Sequence, residues 1–445
     1  MKTIENYIEH WAAKTPAKVA VATPRHQVTY GELWMLIGQH ARDFRSAGIG
    51  KGSIVALRTS QGVSFLADYF ALHKVGAVPM PLERDMPEAK FQEVSRHYEE
   101  MTAPEGAADL LFTTGTTGKS KGVLISHEAI MANAENLIEA HGYGSHLTFI
   151  ITGPLNHLGS LSKVWPVFVK GATLYILEDM KNLSVFFQAM DYSNDNVATF
   201  MVPSSIRMLL QLGGQRLRDY ALKIEFIETG AAPIAQSDME LLCNLLPRTR
   251  LFNTYASTES GIVCTYNFNG EGSCMPRCLG RPMRNSDVMI TPKGSVACKG
   301  STLMMGYFGD EERTAEVLRD GVLYTADNGA IDADGNLHLL GRTDDVINVG
   351  GYKVQPEEVE QAAMTFEAVK DCVCIGVPSL LTGSALKLLV CLKEGYTLDK
   401  RLLARHIAQY VENYKVPMLY EQVDTVGRNV NGKLDRKSYY SPKYM

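Results

Sequence analysis

Apolar and polar positions alternate along the chain with two periods, one near 3.6 residues and one near 2, and the switches between them mark the elements. "TIENYIEHWAAK" and "GELWMLIGQHARDFRSAG" carry apolar residues at helical spacing, with Gly48 stopping the second helix. "SIVAL", "GAVPMPL", "LTFIITGPL", "ATLYIL", "VATFMVP", "KIEFIETGAAP" and "LFNTYAS" are short β-rich runs bounded by Gly, Pro or Asn. Helices alternating with such runs predict an α/β fold with a large, multi-sheet N-terminal domain, and ligands of open α/β sheets gather at strand ends.

Near Gly341 the texture changes. "HLLGRTDDVINVGGYKVQPEEVEQAAM" reads as a strand, a charged turn, a hairpin turning on Gly-Gly, and a helix opened by Pro356 and Glu357. "VKDCVCIGVP" and "KLLVCLKEG" then read as strands and "LDKRLLARHIAQYVEN" as a helix. A boundary at about Asp344 divides an N-terminal domain, 1–343, from a small mobile α+β domain, 344–445. Two domains are expected on size as well, because 445 residues exceed what one core supports.

Composition narrows the function class. The chain is 45% apolar and 21% charged, ordinary for a globular protein, with no repeat or low-complexity tract. Its net charge of -5 argues against nucleic acid as a partner. Glu5 and Glu9 interrupt the apolar run a signal peptide needs, and no segment predicts a membrane span, so a cytoplasmic location is expected. The eight cysteines suggest no disulfide framework, and Cys274 with Cys278 or Cys372 with Cys374 lacks the second pair of a zinc site.

The chemistry begins at "LLFTTGTTGKSKGVLISHEAI". Its Gly-Lys-Ser invites comparison with the Walker loop, but the residue five before Gly118 is Thr113 rather than glycine, so that template fails. What remains is a strand feeding a ten-residue loop, Thr113 to Gly122, with five hydroxyls, three glycines and two lysines. Glycines admit phosphate oxygens close to backbone N–H groups, hydroxyls donate further bonds, and lysines offset charge. Ser126 is the expected N-cap of the helix that follows.

Further motifs follow in order: "ETGAAP" from Glu228, "NTYASTES" from Asn253, "YTADNGAIDADGNLHLLGRTDD" from Tyr324, and "GRNVNGKLDRK" from Gly427. Together with "TTGTTGKSKG" they resemble the adenylate-forming superfamily, which includes acyl- and aryl-CoA synthetases, luciferases and the adenylation domains of peptide synthetases. The resemblance spans essentially the whole chain. It departs from the family pattern at Ser120 and Gly427, where proline is usual, and at Ala256 and Ala326, where glycine is usual.

The resemblance implies roles. Thr113, Thr114, Gly115, Thr116, Thr117, Gly118 and Lys121 would contact the ATP phosphates, and Gly230, Ala231 and Ala232 would lie along the adenine. Asn253 would meet the adenine amino group, Tyr255 would stack on the ring, Thr258 would bind the α-phosphate, and Thr254 and Ala256 would belong to the same nucleotide-binding site. Glu259 would help hold Mg²⁺, Asp327 would accept the ribose hydroxyls, and Arg342 would contact ribose or phosphate. Asp344 would be the hinge, Lys433 the catalytic lysine, and Gly350 and Gly351 the channel for a pantetheine arm. His157, in "GPLNHLGS", stands where amino-acid-activating members carry aspartate and borders the carboxylate pocket, which favours a non-amino acid.

The activity so implied is ATP-dependent formation of an acyl-AMP with release of pyrophosphate, then transfer to a thiol. The expected partners are a small carboxylic acid, ATP and CoA, with a holo-carrier protein as the alternative acceptor, in a monomer or homodimer. A module that only senses nucleotide is the rival of another class, though it would have no need of Lys433. The stretch before the phosphate loop, from Pro81 to Phe112, is short against most relatives, as in compact members such as o-succinylbenzoate–CoA ligases.

Overall fold

The computed structural model describes residues 2–114, 120–180, 182–192, 194, 196–270, 275, 277–342, 345–349, 352–379, 383–428, 434 and 436–440. Its centre is a run of parallel strands in the spatial order Thr173–Ile176, Thr148–Ile151, Val197–Met201, Ile224–Gly230 and Arg250–Ser257. Each is mostly buried because both of its faces are covered. Phe149, Ile151, Phe200, Phe226 and Phe252 face one core, while Ile150, Met201, Ile227 and Leu251 face another, as the two-residue period of a strand requires. Beyond Arg250–Ser257 the sheet continues antiparallel through Gly261–Asn267 and Cys278–Pro282 to Leu337–Arg342 and Val322–Ile331.

Local signals account for the helix limits. Thr29 and Glu32 form a capping box that opens Tyr30–Ser46, and Gly48, at φ 80°, lies just past its end. Ser126 accepts the Ala129 amide at 3.0 Å and opens His127–His141, as expected. The helix read over residues 398–413 is shorter, Lys400–Ile407. Asp399 caps its start, and i→i+3 bonds from Gln409 and Tyr410 tighten its end into turns.

The phosphate segment also differs from its reading as a ten-residue loop. Ala107–Thr114 and Ser120–Ser126 form an antiparallel hairpin whose pairing runs out to Thr113 with Lys121 and Thr114 with Ser120. Thr113, Thr114, Lys121 and Gly122 are therefore strand residues, since backbone pairing continues wherever the turn chemistry lets it. Gly115, Thr116, Thr117 and Gly118 lie outside the described residues.

A buried charge cluster ties this hairpin to the helical layer. The His73 imidazole bonds Glu5 at 2.8 Å and Asp109, in the first hairpin strand, at 2.9 Å. Burial lowers its pKa, but the bonds to the two carboxylates outweigh that and push it up to about 10.

The C-terminal part has its own packing. Pro356–Met364 and Lys400–Ile407 cover one face of the sheet Val369–Ser379, Gly383–Leu392 and Leu419–Gln422, and Tyr439 packs on the other. Among the described residues, both of these cores draw only on residues from Ile347 onward. The expected hairpin is present, Val349 pairing with Tyr352, while Gly350 and Gly351 lie outside the described residues, as does Asp344. Among the described residues no helix is long and apolar enough to cross a membrane.

Candidate active site

The ends of the parallel strands carry many of the residues singled out above. His157 follows Thr148–Ile151 and precedes the helix Leu158–Lys170, half-buried, with its Nε2 3.4 Å from Asn156 Nδ2. Gly230 closes Ile224–Gly230, where a Cβ would come within 2.7 Å of the Thr254 carbonyl, so only glycine fits. Ala231 follows at φ 67°, a left-handed conformation costly for alanine, and Ala232 completes the turn. Strain of that kind, in a turn between strand end and solvent, is what close apposition to a flat ligand would demand. The Phe200 ring fills the space between this turn and the His157 helix, 3.2 Å from the Cβ position of Gly159 and 3.7 Å from that of Gly230.

The neighbouring strand brings three more together. Asn253 is buried and donates through Nδ2 to the Cys278 carbonyl at 3.2 Å. The Thr254 hydroxyl pairs with that of Thr265 at 3.0 Å. Tyr255 is buried, and its hydroxyl donates to Asp327 Oδ2 at 2.7 Å, while Arg342 donates to Asp327 Oδ1 at 3.2 Å. Burial first, and then the Asp327 charge, raises the Tyr255 pKa well above its usual value, so the phenol stays a donor. The pattern register shifts between Tyr255 and Ala256, and Ala256 keeps a negative φ, so alanine is accommodated there without strain.

Glu259 meets the hairpin through a residue the motifs did not single out. Tyr307 pairs with Val123 of the hairpin, donates its hydroxyl to Glu259 Oε1 at 3.0 Å, and lies under the Lys121 ammonium, 5.0 Å from its ring centroid. Thr258, one residue before Glu259, is half-buried in the same turn. "GYFGD" around Tyr307 held no motif to flag it; only the pairing of Gly306–Tyr307 with the hairpin reveals it. Among the described residues there is no cluster of three or more metal-ligating side chains. A single hard carboxylate beside the Thr/Gly-rich hairpin nevertheless suits Mg²⁺, which takes much of its shell from phosphates and water.

The C-terminal part closes over this region. Arg277 donates to Gln361 Oε1 at 2.5 Å, and Asp371 lies 4.0 Å from Arg207, which also bonds Asp238 at 3.0 Å. Gly341, at φ 128°, would with a Cβ come 2.5 Å from Gln355 Oε1 and 3.0 Å from Glu357 Oε2. Lys433 lies outside the described residues, three positions before the buried Arg436.

Glu357 has the most displaced acid of the region. Burial, and then Glu360, Asp345 and Asp327, push its pKa up to about 7 against the pull of Arg436. A carboxyl that holds its proton longer when folded loses the fold stability as pH rises from its unfolded pKa of 4.5 to about 7. Glu357→Gln should therefore raise the melting temperature far more at pH 8 than at pH 4, where the carboxyl is protonated in both states, by roughly 4–8 °C per kcal/mol for a unit of this size. Thermal scans at the two pH values check this, and an equal shift at both would refute it.

Known proteins share the family and the fold of this chain. The profile of the AMP-binding enzyme family matches residues 8–100 and 87–308, and that of the AMP-binding enzyme C-terminal domain matches 358–433. The chain is 30% identical over 346 residues to 3-[(3aS,4S,7aS)-7a-methyl-1,5-dioxo-octahydro-1H-inden-4-yl]propanoyl:CoA ligase of Mycobacterium tuberculosis, covering 75% of this chain and 66% of that one. It is 25% identical to 2-succinylbenzoate--CoA ligase of Geobacillus over 493 positions, covering 98% and 96% of the two chains. That alignment is longer than the 445 residues here, so this relative carries residues the present chain lacks and is not equally short. ATP-bound MatB from Rhodopseudomonas palustris has the same fold, with a TM-score of 0.87 at 22% identity over 99% of this chain and 100% of that one. MenE from Bacillus subtilis, in complex with the acyl-adenylate OSB-AMP, gives 0.85 at 20% over 98% of each. With its profile match extending over more than half of the sequence, the chain belongs to the AMP-binding enzyme family.

Proposed function

We propose that this chain uses the strand-end site to activate a ring-bearing carboxylic acid as its acyl-AMP and then passes the acyl group to CoA. It is an AMP-forming acid–thiol ligase. The observation that carries the reading is the pair of clusters served by one short segment, Tyr255 with Asp327 and Arg342, and four residues on Glu259 with Tyr307 and, over its ring, Lys121 of the hairpin.

A carboxylate is a poor electrophile, because its charge repels nucleophiles and oxide leaves badly. Joining it to AMP removes both obstacles. The acid's oxygen attacks the α-phosphorus of ATP and pyrophosphate leaves; a thiol then attacks the acyl carbonyl and AMP leaves. The work asked of the protein is positioning and charge stabilisation. Asp327 anchors the ribose: each carboxylate oxygen has two lone pairs, so hydroxyls can join Tyr255 and Arg342 there without displacing them. Asn253, with its Nδ2 committed to Cys278, turns its acceptor end to an exocyclic amine. In this reading the Tyr255 ring, held by its bond to Asp327, supplies a flat face for the base. Gly230, Ala231 and Ala232 form the opposite wall.

Thr258, Lys121, the hairpin residues Thr113 to Gly118 and Lys433 gather on the phosphates. Mg²⁺ at Glu259 would supply further charge neutralisation there. His157 and Phe200 border the acid, Gly350 and Gly351 line the thiol's approach, and Asp344 is the point about which residues 344–445 turn between the two steps.

The choice of a ring-bearing acid rests on the relatives' substrates, which include 2-succinylbenzoate, an octahydroindenyl propanoate, and the acids implied by feruloyl-CoA synthase and indoleacetate--CoA ligase. A holo-carrier protein is the second reading for the acceptor, favoured by the "NGKLDRK" ending, which resembles that of peptide-synthetase adenylation domains. The test is acid-dependent ATP–pyrophosphate exchange over aryl, short, medium and long-chain acids, followed by CoA or holo-carrier as acceptor. Exchange is expected with aryl acids. Amino acids driving exchange instead, or no diphosphate from any acid, would end the proposal.

A further inference from the structure

We propose that Arg436 is a positioning residue for Lys433, locking the segment that carries the lysine to the hinge and to the helix Pro356–Met364 so that they turn as one body. This rests on the role proposed above for Lys433.

The arginine sits in a built site. It is 7% exposed, and its two terminal nitrogens both reach Glu360, Nη2 to Oε2 at 2.8 Å and Nη1 to Oε1. Nη1 also donates to the Cys374 carbonyl at 3.0 Å, and Nε lies 3.4 Å from Asp345 Oδ2. Glu360 in turn accepts the Cys374 amide at 2.7 Å. One guanidinium thus gathers the helix Pro356–Met364, the strand Val369–Ser379 and the residue directly after Asp344.

The segment is held at its other end in the same manner. Arg428 donates to both oxygens of Asp371, on that same strand, at 2.8 and 3.1 Å, and it forms a bridge with Leu434. In sequence, Lys433 lies between Arg428 and Arg436, whose two carboxylate forks are rooted in one sheet and its covering helix. The three residues from 433 to 436 reach no further than about 10 Å even fully extended, so the anchor limits where the lysine can go. A fork of this kind fixes direction as well as distance, which an ammonium does not. Buried ion pairs add little net stability, so the fork's value here lies in register rather than in energy. Asp345 extends the lock to the hinge: a turn there moves the guanidinium and the lysine segment together.

The test separates the two half-reactions in the full-length protein. Arg436→Lys keeps the charge and loses the fork. It should slow acid-dependent ATP–pyrophosphate exchange on the order of 10²-fold at saturating ATP and acid, as a displacement of about 1 Å does. Thioester formation from supplied acyl-adenylate and CoA should stay within about threefold, because that step does not use the lysine. Asp345→Asn, which leaves the Glu360 fork in place, should shift the same ratio in the same direction and serves if Arg436→Lys fails to fold. Lys433→Ala runs alongside. If it impairs exchange selectively while both other variants slow the two steps equally, or neither, the positioning role is refuted. If Lys433→Ala itself spares exchange, the lysine assignment falls and this inference falls with it.

Discussion

Lys433→Ala is expected to lower acid-dependent adenylate formation by on the order of 10²–10³-fold while sparing thioester formation from a supplied acyl-adenylate. The reason is where charge develops. As the acid's oxygen reaches the α-phosphorus, negative charge spreads over the phosphoryl oxygens and the departing pyrophosphate, and an ammonium aimed at them stabilises that arrangement more than the ground state. In the second step the charge forms on a carbonyl oxygen, with AMP leaving, and the lysine is no longer needed. In the proposed site, substrate binding is shared with Asp327, Tyr255 and the hairpin, so the loss should appear in kcat more than in KM for ATP. Measuring the two half-reactions separately decides it, and equal loss in both would count against a lysine that serves only the first.

The second large effect is on stability. Lys163 Nζ donates to Glu228 Oε1 at 2.7 Å, and the two side chains are 1% and 0% exposed. Lys163→Met should cost about 3–5 kcal/mol, because it strands a carboxylate in the core. Glu228 Oε2 also stands 3.6 Å from His141 Nδ1; in the intact protein burial, and then the charges of Lys163 and Arg250, hold the His141 pKa well below its usual value, so that ring is neutral. The Lys163→Met change removes one of those charges, but the burial and Arg250 remain to oppose protonation of the ring. Replacing both partners, Lys163→Met with Glu228→Leu, should recover most of the loss, since a packed apolar pair needs no compensation. Urea unfolding of the two single variants and the double gives the coupling energy. If the double variant were as unstable as Lys163→Met, the account by a stranded charge would be wrong. Activity should fall as well, because Lys163 Nζ lies 5.0 Å from the ring centroid of Phe200, which packs between the His157 helix and the Gly230 turn.

Much of the candidate site could be read in order along the chain. The motifs at Glu228, Asn253 and Tyr324 each fall at a strand end or edge, as the alternation of apolar runs with Gly and Pro suggested. Gly341 and Gly230 are glycines for reasons of close approach, and only the packed neighbours reveal which. The hairpin was read as a loop because Thr, Gly and Lys look like turn chemistry, while the strand pairing that extends it depends on a partner chain segment.

Sequence alone determined what repeats within a turn or two: helix and strand limits set by periodicity, the caps at Thr29, Ser126 and Asp399, the Gly-Gly hairpin, and the order of the nucleotide motifs. These are short-range effects, each decided by residues a few positions apart. The tertiary structure alone decided who meets whom: Tyr255 with Asp327, Lys163 with Glu228, His73 with Glu5 and Asp109, Tyr307 with Glu259, Arg436 with Glu360. Most of those partners are tens of residues apart, and nothing in their spacing announces them. Burial makes the partnership compulsory, because a polar group removed from water must find a mate, but which mate depends on how distant elements come to pack.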